Sequence, residues 1–417
     1  MIVSSRSVFG MRQLAEVPEK ECSQVSNLKI IGQHEQKTIA QAQNCLDKGA
    51  VRFVLCADGH LGYGHPIGGV AAYRNQVSIS GVGYDIACGN MAVKLPLKYV
   101  EIKNRLQQIG RKIRSEISFG VGRKNSTLVP AEFLDAETYW QNEATRGLKD
   151  LAASQLGTVG SGNHYVDVFH DEEGFVWVGV HFGSRGLGHR TTTYFLKKVG
   201  AKDSMDADPC VLNLDSDLGQ SYWHAMTLAG KYAYAGREWV CRTVARAIQG
   251  TEECLDQVHN HHNFAFLEEH DGKKYVVVRK GATPAFANQR SFVGGSMGDD
   301  SVILHGRATS AARENLFSTI HGAGRVMSRT QAAGKFKGWG PKRVRVSEGL
   351  VDEAAMRERV KAKGVLLIGA GADEAPECYR KLDEVLACHL DSVAVETRLT
   401  PVIVCMAGSN EHDPYKD

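Results

Sequence analysis

The sequence predicts an α+β fold organised as a single domain. Short β-like runs and amphipathic helical segments are mixed along the chain, without the regular strand–helix–strand rhythm of a doubly wound sheet. No repeat or long linker divides the 417 residues. Glycine-rich turns recur from residue 59 to residue 371, and the polar residues within them are expected to meet at one site built from many loops. We therefore expect one domain over 1–417, with β-sheets flanked by helices around a central cleft.

The predicted strands are short runs rich in β-branched and aromatic residues. They lie at 51–55, 69–73, 77–80, 91–95, 175–181, 274–279, 301–304, 365–368 and 401–406. The strongly apolar run at 175–181, FVWVGVH, ends on a histidine that is either a satisfied core residue or a ligand.

Helical periodicity is clearest at 215–249, where apolar residues recur near one face. These residues are Tyr222, Met226, Ala229, Ala233, Val240, Val244 and Ile248. Further helices are expected near 36–48, 98–115, 131–155, 351–362 and 376–389. Surface insertions are expected around 121–150 and 200–215, and the tail at 409–417 is given no role.

Composition and charge are those of an ordinary globular protein. The net charge is +3, from 50 basic and 47 acidic residues, so the overall charge does not indicate nucleic-acid binding. The run from Arg325 to Arg345 is locally basic, and it is either a solvated loop or a path for an anionic partner. The chain shows no signal-peptide core and no run near the roughly 20 apolar residues of a membrane helix. Ten scattered cysteines without a CxxC pair indicate a reducing cytoplasm and mostly buried, inert thiols.

One motif combines a carboxylate with a thiol. In VGYDIACGN, Asp85 and Cys88 lie three residues apart between glycines. A hard carboxylate and a soft thiolate that face one centre suit a transition metal such as Mn, Co, Fe or Zn. The alternative is a turn aspartate followed by a buried cysteine.

Candidate histidine ligands occur at three further places. In GSGNHYVDV, strand alternation places His164 on one side and Asn163 on the other. The second is His181, at the end of FVWVGVH. In VHNHHNF, His259 and His261 share one face and His262 takes the other, so one face can hold a metal while the other supports it.

Several glycine turns are suited to anions. GSRGLG, with Arg185, exposes backbone N–H groups beside a guanidinium, and GGSMGD carries Ser296. In HGAGRVMSR, His321 precedes two arginines four residues apart and is a loop residue, a ligand or a nucleophile. There is no Walker A sequence and no Rossmann fingerprint in the required context. Together, these motifs indicate a metal-dependent enzyme that acts on phosphates.

The same motifs, in this order, resemble the RtcB family of GTP-dependent RNA ligases over about 58–408. They are DGHLGYGHPIGGV, GVGYDIACG, GSGNHYVDV, HFGSRGLGH, HHNF, RKGATPA, GGSMGD, HGAGRVMSR, APECYRKLDEV and MAG. The resemblance implies one RtcB-type domain around a metal- and nucleotide-binding cleft. It implies two Mn²⁺ ions, with the thiolate of Cys88 as a bridge, and a covalent guanylyl group on His321. The implied metal ligands are Asp85, Cys88, His164, His181 and His262, which excludes His259 and His261.

The resemblance also implies positions for the nucleotide and for phosphates. The residues that match guanylate contacts are Asn163, Tyr165, Asp167, Asn263, Ser296, Ala323, Gly324 and Tyr379. The arginines that match holders of GTP or RNA phosphates are Arg185, Arg237, Arg325 and Arg329. Asp58 and His60 match a motif near the metals and are given no role.

Three positions depart from the family pattern. Asp167 stands where a glutamate is common, which shortens its reach towards the nucleotide. Gly236 replaces an asparagine. Ala407 lies near the end of the chain, where several relatives have a Lys-Gly that contacts guanine. The departures at Asp167 and Ala407 bear on the preference for GTP over ATP and not on the covalent chemistry.

The implied activity is the joining of RNA 3′-phosphate or 2′,3′-cyclic phosphate ends to 5′-hydroxyl ends, in tRNA splicing or RNA repair. The implied partners are RNA, GTP and an archease-like activator, with no membrane. A second reading is a metal-dependent 2′,3′-cyclic phosphodiesterase or phosphatase on the same scaffold with weak ligation. A third is an RNA-binding scaffold without activity, which the filled ligand positions disfavour.

Overall fold

The computed structural model describes residues 27–202, 204–338, 344–409 and 411. Most of the tail at 409–417 and part of the basic run at 325–345 lie outside these ranges.

The described residues form strands and helices in comparable amounts. The strands are β1 (Leu28–Ile30), β2 (Arg52–His60), β3 (Ile67–Tyr73), β4 (Gln76–Ser78), β5 (Gly89–Lys98), β6 (Tyr165–His170), β7 (Phe175–Phe182), β8 (Val211–Asn213), β9 (Asp256–His261), β10 (Asn263–His270), β11 (Lys273–Lys280), β12 (Ala282–Pro284), β13 (Arg290–Val293), β14 (Ser301–Gly306), β15 (Ser318–Ile320), β16 (Lys335–Lys337), β17 (Val344–Ser347), β18 (Leu366–Ala370) and β19 (Val393–Gly408). The helices are α1 (Gln36–Asp47), α2 (Ile79–Val82), α3 (Tyr99–Ile102), α4 (Leu106–Glu116), α5 (Glu132–Asp135), α6 (Lys149–Gln155), α7 (Arg185–Lys198), α8 (Asp217–Gln249), α9 (Ser310–Glu314), α10 (Arg329–Ala333), α11 (Glu353–Ala362) and α12 (Leu382–Ala387).

Two large sheets organise the chain. One has the strand order β1-β2-β3-β11-β10, and the other has the order β13-β14-β19-β6-β7-β5-β9, with β18 paired to β19. Neighbouring strands are antiparallel, apart from the parallel pairs β1–β2 and β18–β19 among the named strands. Strands that are distant in the sequence lie side by side, with helices segregated around them, which confirms the predicted α+β class.

Helix α8 packs across both sheets. Its first half contributes Tyr222 and Met226 to the core against the five-stranded sheet. Its second half contributes Val240 and Val244 to the core under the eight-stranded sheet. The helix therefore packs against both sheets and connects their cores. It matches the helix predicted at 215–249.

The helix begins and ends at residues suited to those positions. The Ser216 hydroxyl accepts a hydrogen bond from the backbone N–H of Gly219, which satisfies one free donor of the first turn. Gly250 closes the helix with a φ of 86°, in the left-handed region that glycine enters without a steric penalty.

Every predicted strand overlaps an observed one, whereas several predicted helices are interrupted. The helix predicted at 98–115 contains a 3₁₀ turn at Lys103–Arg105, and the helix predicted at 376–389 is a 3₁₀ turn at Pro376–Cys378 followed by the shorter α12. The helix predicted at 131–155 is broken into α5, a 3₁₀ turn at Glu137–Trp140 and α6. Helix α7 was not predicted, because the glycines at 183–188 indicated a loop. Those glycines permit close packing: a Cβ on Gly186 would lie 2.7 Å from the Gln155 Oε1 atom.

None of the helices in the part of the chain that the structure describes is long and apolar enough to span a membrane. The cysteines in the same ranges are all free, and most of them are buried, in keeping with the predicted inert thiols.

Candidate active site

A cavity of about 520 Å³ opens where the two sheets approach the glycine-rich turns. This volume lies within the range of small-molecule sites. The predicted site residues that line it are Asn163, Tyr165, Asp167, His181, Ser296, His321, Ala323, Gly324, Arg325, Arg329 and Tyr379. These residues are dispersed over more than 200 positions of the sequence, and the fold brings them to one cleft.

The predicted metal ligands form a cluster at one side of this cleft. The Cys88 Sγ atom lies 3.3 Å from the His181 Nε2 atom and 3.7 Å from the His164 Nε2 atom. These three ligand atoms lie within 4.8 Å of one another. The carboxylate of Asp85 completes the group, with its Oδ2 atom 3.0 Å from the His164 Nε2 atom.

The order of strands in the large sheet explains why these residues meet. Strands β6, β7, β5 and β9 are consecutive neighbours, and each has a predicted ligand at or beside one end. The register pairs Tyr165 with His181, which places His164 beside His181. It also pairs Gly89, directly after Cys88, with His261, directly before His262. The cluster therefore lies along one edge of the sheet.

His262 links the cluster to the other histidine of interest. Its ring centroid lies 5.0 Å from that of His181 and 5.0 Å from that of His321. Its Nδ1 atom is buried and has no hydrogen-bond partner among the described residues. A buried imidazole nitrogen without a partner is available to a metal ion.

The protonation of the cluster also suits a metal. Burial lowers the pKa of His181 and of His262 well below the usual range, which keeps both rings in the neutral, ligating form. Burial opposes ionisation of Asp85, but the adjacent His164 outweighs it and holds the pKa of Asp85 at about 2. Burial raises the pKa of the Cys88 thiol well above its usual value, so a bound metal would have to displace that proton. A thiol, a carboxylate and three imidazoles fit a borderline divalent metal.

One glycine makes room for the carboxylate. A Cβ on Gly183 would lie 2.4 Å from the Asp85 Oδ1 atom, which is closer than carbon and oxygen can approach. Glycine at this position therefore allows the turn after β7 to contact the aspartate.

His321 is held by a buried carboxylate that carried no predicted role. Its Nδ1 atom lies 2.6 Å from the Asp58 Oδ2 atom, and its backbone N–H donates to the same oxygen at 2.9 Å. Asp58 is fully buried. Burial disfavours its charge, but His321 outweighs this effect and holds the pKa of Asp58 below the usual range. The carboxylate fixes the ring with Nδ1 as the donor, which leaves Nε2 as the nitrogen with an available lone pair.

The two arginines that follow His321 share a buried partner. Glu374 is 4% exposed, and its Oε2 atom accepts from Arg325 Nη1 at 3.1 Å. Its Oε1 atom accepts from Arg329 Nε at 2.8 Å. Tyr379 donates its hydroxyl proton to the same carboxylate. Sequence reasoning missed Glu374, although it lies in the ADEAPE stretch just before the resembling tyrosine.

Two buried polar atoms lie at one end of the cleft. The Tyr165 hydroxyl and the Asp167 Oδ1 atom are both buried, and neither is hydrogen-bonded within the described residues. Burial raises the pKa of Asp167 well above the usual range, which favours the neutral acid. Met406 lines the same end, whereas Ala407 packs into the core beneath the sheet.

Three predicted contact residues do not line the cleft. The Asn263 side chain bonds to backbone, and its Oδ1 atom accepts from the N–H of Gly281 at 2.7 Å. The Arg185 Nη2 atom donates to the carbonyl of Gly120 at 2.8 Å, and its Nε atom donates to Thr158. Arg237 is fully buried beneath the metal cluster. The phosphate contacts implied for Arg185 and Arg237 stay predictions, and the structure shows both guanidinium groups bonded to protein groups.

Comparison with known proteins agrees with this geometry. A model of the family described as tRNA-splicing ligase RtcB matches residues 40–407. The chain is 30% identical to the tRNA-splicing ligase RtcB of Thermococcus kodakarensis, over 84% of this chain and 87% of the relative. It is 32% identical to the tRNA-splicing ligase RtcB of Archaeoglobus fulgidus over the same shares, and 30% identical to the RNA-splicing ligase RtcB of Escherichia coli over 84% of this chain and 88% of the relative. The chain belongs to the RtcB family.

Proposed function

We propose that the chain is an RNA ligase that joins 3′-phosphate or 2′,3′-cyclic phosphate ends to 5′-hydroxyl ends through a guanylyl group on His321. The observation that carries the proposal is the placement of this histidine. It lies in the cleft, it is bonded to Asp58, and it is not one of the three residues, Cys88, His164 and His181, that cluster as metal ligands. A metal-dependent hydrolase needs metal ligands and a water, and it does not require a separate, oriented imidazole as a covalent nucleophile.

The first step uses the His321 Nε2 atom as a nucleophile. It attacks the α-phosphorus of GTP, a nitrogen–phosphorus bond forms, and pyrophosphate leaves with the electron pair of the broken bond. Positive charge develops on the ring during this attack. Asp58 stabilises that charge and keeps Nε2 directed into the cleft.

The later steps transfer the guanylyl group. An oxygen of the RNA 3′-phosphate attacks the phosphorus held by His321, which restores the free imidazole and gives an RNA-3′-pp-5′-G end. The 5′-hydroxyl of the second RNA then attacks the 3′-phosphorus, and GMP leaves. A 2′,3′-cyclic end is first hydrolysed: a water oxygen attacks the phosphorus, the bond to the 2′-oxygen breaks, and a 3′-phosphate with a free 2′-hydroxyl results.

The residues of the cluster would hold two Mn²⁺ ions. They are Asp85, Cys88, His164, His181 and His262. When bound, these ions would neutralise charge on the phosphate oxygens and on the leaving oxygen. The mixed donor set and the open His262 nitrogen support this assignment.

The lining of the cleft suits a nucleotide and an anionic strand. Asn163, Tyr165, Asp167, Ser296, Ala323, Gly324 and Tyr379 are the proposed surroundings of the guanylate. Arg325 and Arg329 supply positive charge beside it, and each is tied to Glu374. We assign Asn263 a supporting role, because its side chain bonds to backbone.

The proposal also covers partners and location. The substrates are RNA ends and GTP, and an archease-like activator is a candidate partner. The free cysteines favour the reducing cytoplasm.

A sealing assay tests the proposed activity. The protein is incubated with Mn²⁺, GTP and two RNAs, one ending in a 3′-phosphate or a 2′,3′-cyclic phosphate and the other beginning with a 5′-hydroxyl. We expect a joined strand only when GTP is present. Opening or removal of the terminal phosphate without joining, and independent of GTP, would instead identify a metal-dependent 2′,3′-cyclic phosphodiesterase or phosphatase.

A further inference from the structure

A single buried guanidinium lies beneath the metal cluster. Arg237 is fully buried in the middle of α8. Its Nη1 atom donates to the carbonyl of Ala87 at 2.9 Å and to the carbonyl of Phe182 at 2.6 Å. Its Nε atom donates to His259 Nε2 at 2.9 Å, and its Nη2 atom lies 3.1 Å from His261 Nδ1.

Each of these partners is adjacent, or nearly so, to a proposed ligand. Ala87 precedes Cys88, Phe182 follows His181, and His261 precedes His262. One side chain therefore bonds to three of the four chain segments that carry the cluster. These segments belong to strands β5, β7 and β9, which come from distant parts of the sequence.

The backbone conformation of Ala87 is an independent reason to infer that Arg237 holds these segments in place. Its φ is 58°, a left-handed conformation that is unfavourable for a residue with a Cβ atom. Its N–H donates to the carbonyl of Asn263 at 2.7 Å, and its carbonyl accepts from Arg237. The strained turn between Asp85 and Cys88 is thus held from both sides.

The charge of Arg237 does not explain its position. The guanidinium forms no ion pair within the described part of the chain, and its four hydrogen bonds go to backbone carbonyls and imidazole nitrogens. A cation beside a divalent metal is repelled by it. The planar guanidinium of arginine can donate these four hydrogen bonds in fixed directions, whereas the compact ammonium of lysine cannot.

The arrangement also accounts for the two histidines that are not ligands. Because arginine only donates, the nitrogens of His259 and His261 that face it act as acceptors. The ring of Tyr234 stacks on His259 with centroids 3.8 Å apart, which fixes its orientation.

We propose that Arg237 is a positioning residue of the metal centre, whose buried fork sets the spacing of the segments that carry Asp85 and Cys88, His181 and His262. This inference rests on the proposed metal centre. It replaces the role of phosphate holder that the sequence suggested for this arginine.

The test compares Arg237→Lys with the unaltered protein. Lysine keeps the charge but lacks the fork, so we expect Mn²⁺ to bind about 10–100-fold more weakly in calorimetric titration. With Co²⁺ as a probe, we expect a weaker thiolate-to-cobalt charge-transfer band, since the distance and direction of Cys88 change. Both measurements are made on protein with native far-UV circular dichroism, so a loss of stability alone does not move them. Arg242→Met is the matched control, because Arg242 lies on the same helix but is exposed, and it should bind both ions normally.

A second variant covers the case in which Arg237→Lys does not fold. His261→Leu keeps the guanidinium and removes one acceptor, and we expect weaker Mn²⁺ binding in the same direction. If the folded Arg237→Lys variant, or His261→Leu in its place, had unaltered Mn²⁺ affinity and an unaltered Co²⁺ spectrum, the positioning role would be wrong. If the unaltered protein bound neither ion, the proposed metal centre itself would be wrong. That result differs from one in which the unaltered protein binds both ions and only the positioning role of Arg237 is wrong.

Discussion

Asp58 and His321 are separated by 263 residues in the sequence, yet one carboxylate oxygen faces both the ring nitrogen and the backbone N–H of the histidine, at 2.6 and 2.9 Å. The carboxylate thereby fixes the tautomer and the direction of the ring. The same oxygen also approaches the N–H of Gly322, so the whole turn is oriented by one side chain.

The first prediction concerns this pair. Asp58→Asn keeps the shape of the side chain but removes the charge that stabilises a developing imidazolium. We expect formation of the guanylyl adduct to slow by about 10²–10⁴-fold, the usual contribution of a positioned acid–base partner. The measurement is the rate of protein labelling by [α-³²P]GTP. Asp383→Asn changes an exposed aspartate and should label at the normal rate. Equal rates for Asp58→Asn and the unaltered protein would contradict the assigned role.

The second prediction concerns the thiol of the cluster. Cys88→Ser removes the soft ligand while keeping a similar volume, so we expect most of the bound Mn²⁺ to be lost. The metal content of the purified protein is measured after incubation with Mn²⁺ and removal of excess ion. Cys388→Ser, at an exposed cysteine outside the cluster, is the control. Full metal content in Cys88→Ser would rule out the thiolate as a necessary ligand.

The third prediction concerns acid stability. Burial opposes ionisation of Glu374, but Arg329 and Arg325 outweigh it and lower its pKa. A carboxyl with a lowered folded-state pKa stabilises the fold above its unfolded-state pKa, and this stabilisation is lost as the pH falls through the folded-state pKa. Glu374→Gln lacks the titrating group. We therefore expect it to be less stable at neutral pH by about 2 kcal/mol, with a smaller further loss below pH ~4.

Chemical denaturation at a series of pH values measures this difference. The free energy of unfolding of the variant should approach that of the unaltered protein as the pH falls. Parallel curves at all pH values would show that Glu374 does not titrate in a depressed range.

The fourth prediction concerns base selection. Asp167 is a buried carboxyl at one end of the cleft, and its Oδ1 atom has no hydrogen-bond partner within the described residues. Asp167→Ala removes a group that can pair with a base edge, so we expect adduct formation from GTP to fall roughly 10-fold relative to ATP, as for loss of one hydrogen bond. The ratio of labelling rates with the two nucleotides is the measurement. An unchanged ratio would place base recognition elsewhere.

Much of the site could be predicted because its ligands lie in short motifs. Asp85 and Cys88 are three residues apart, and the histidines lie in short motifs, so the local sequence marks them as candidates. The choice of His262 over His259 and His261 came from the resemblance. The partners of those residues could not be predicted in this way. Asp58, Glu374 and Arg237 bond to residues that are distant in the sequence. Local sequence patterns carry no signal of such contacts.

The strands and helices also include some that the local sequence predicts and some that depend on distant contacts. Strands with β-branched runs were located from their residues, and α8 was found from its period of apolar positions. Helix α7 was missed because its glycines serve close packing against Gln155 instead of marking a loop. The Arg237 assignment also changed, because burial depends on which segments surround α8 and not on α8 itself.

The central claim is that His321 carries the guanylyl group. The direct measurement is incubation with Mn²⁺ and [α-³²P]GTP, followed by proteolysis and mass spectrometry of the labelled peptide. The account predicts an acid-labile phosphoramidate on His321, absent from His321→Ala and discharged by RNA with a 3′-phosphate. Labelling of His321→Ala at the normal level, or a guanylyl group found on another residue, would contradict it.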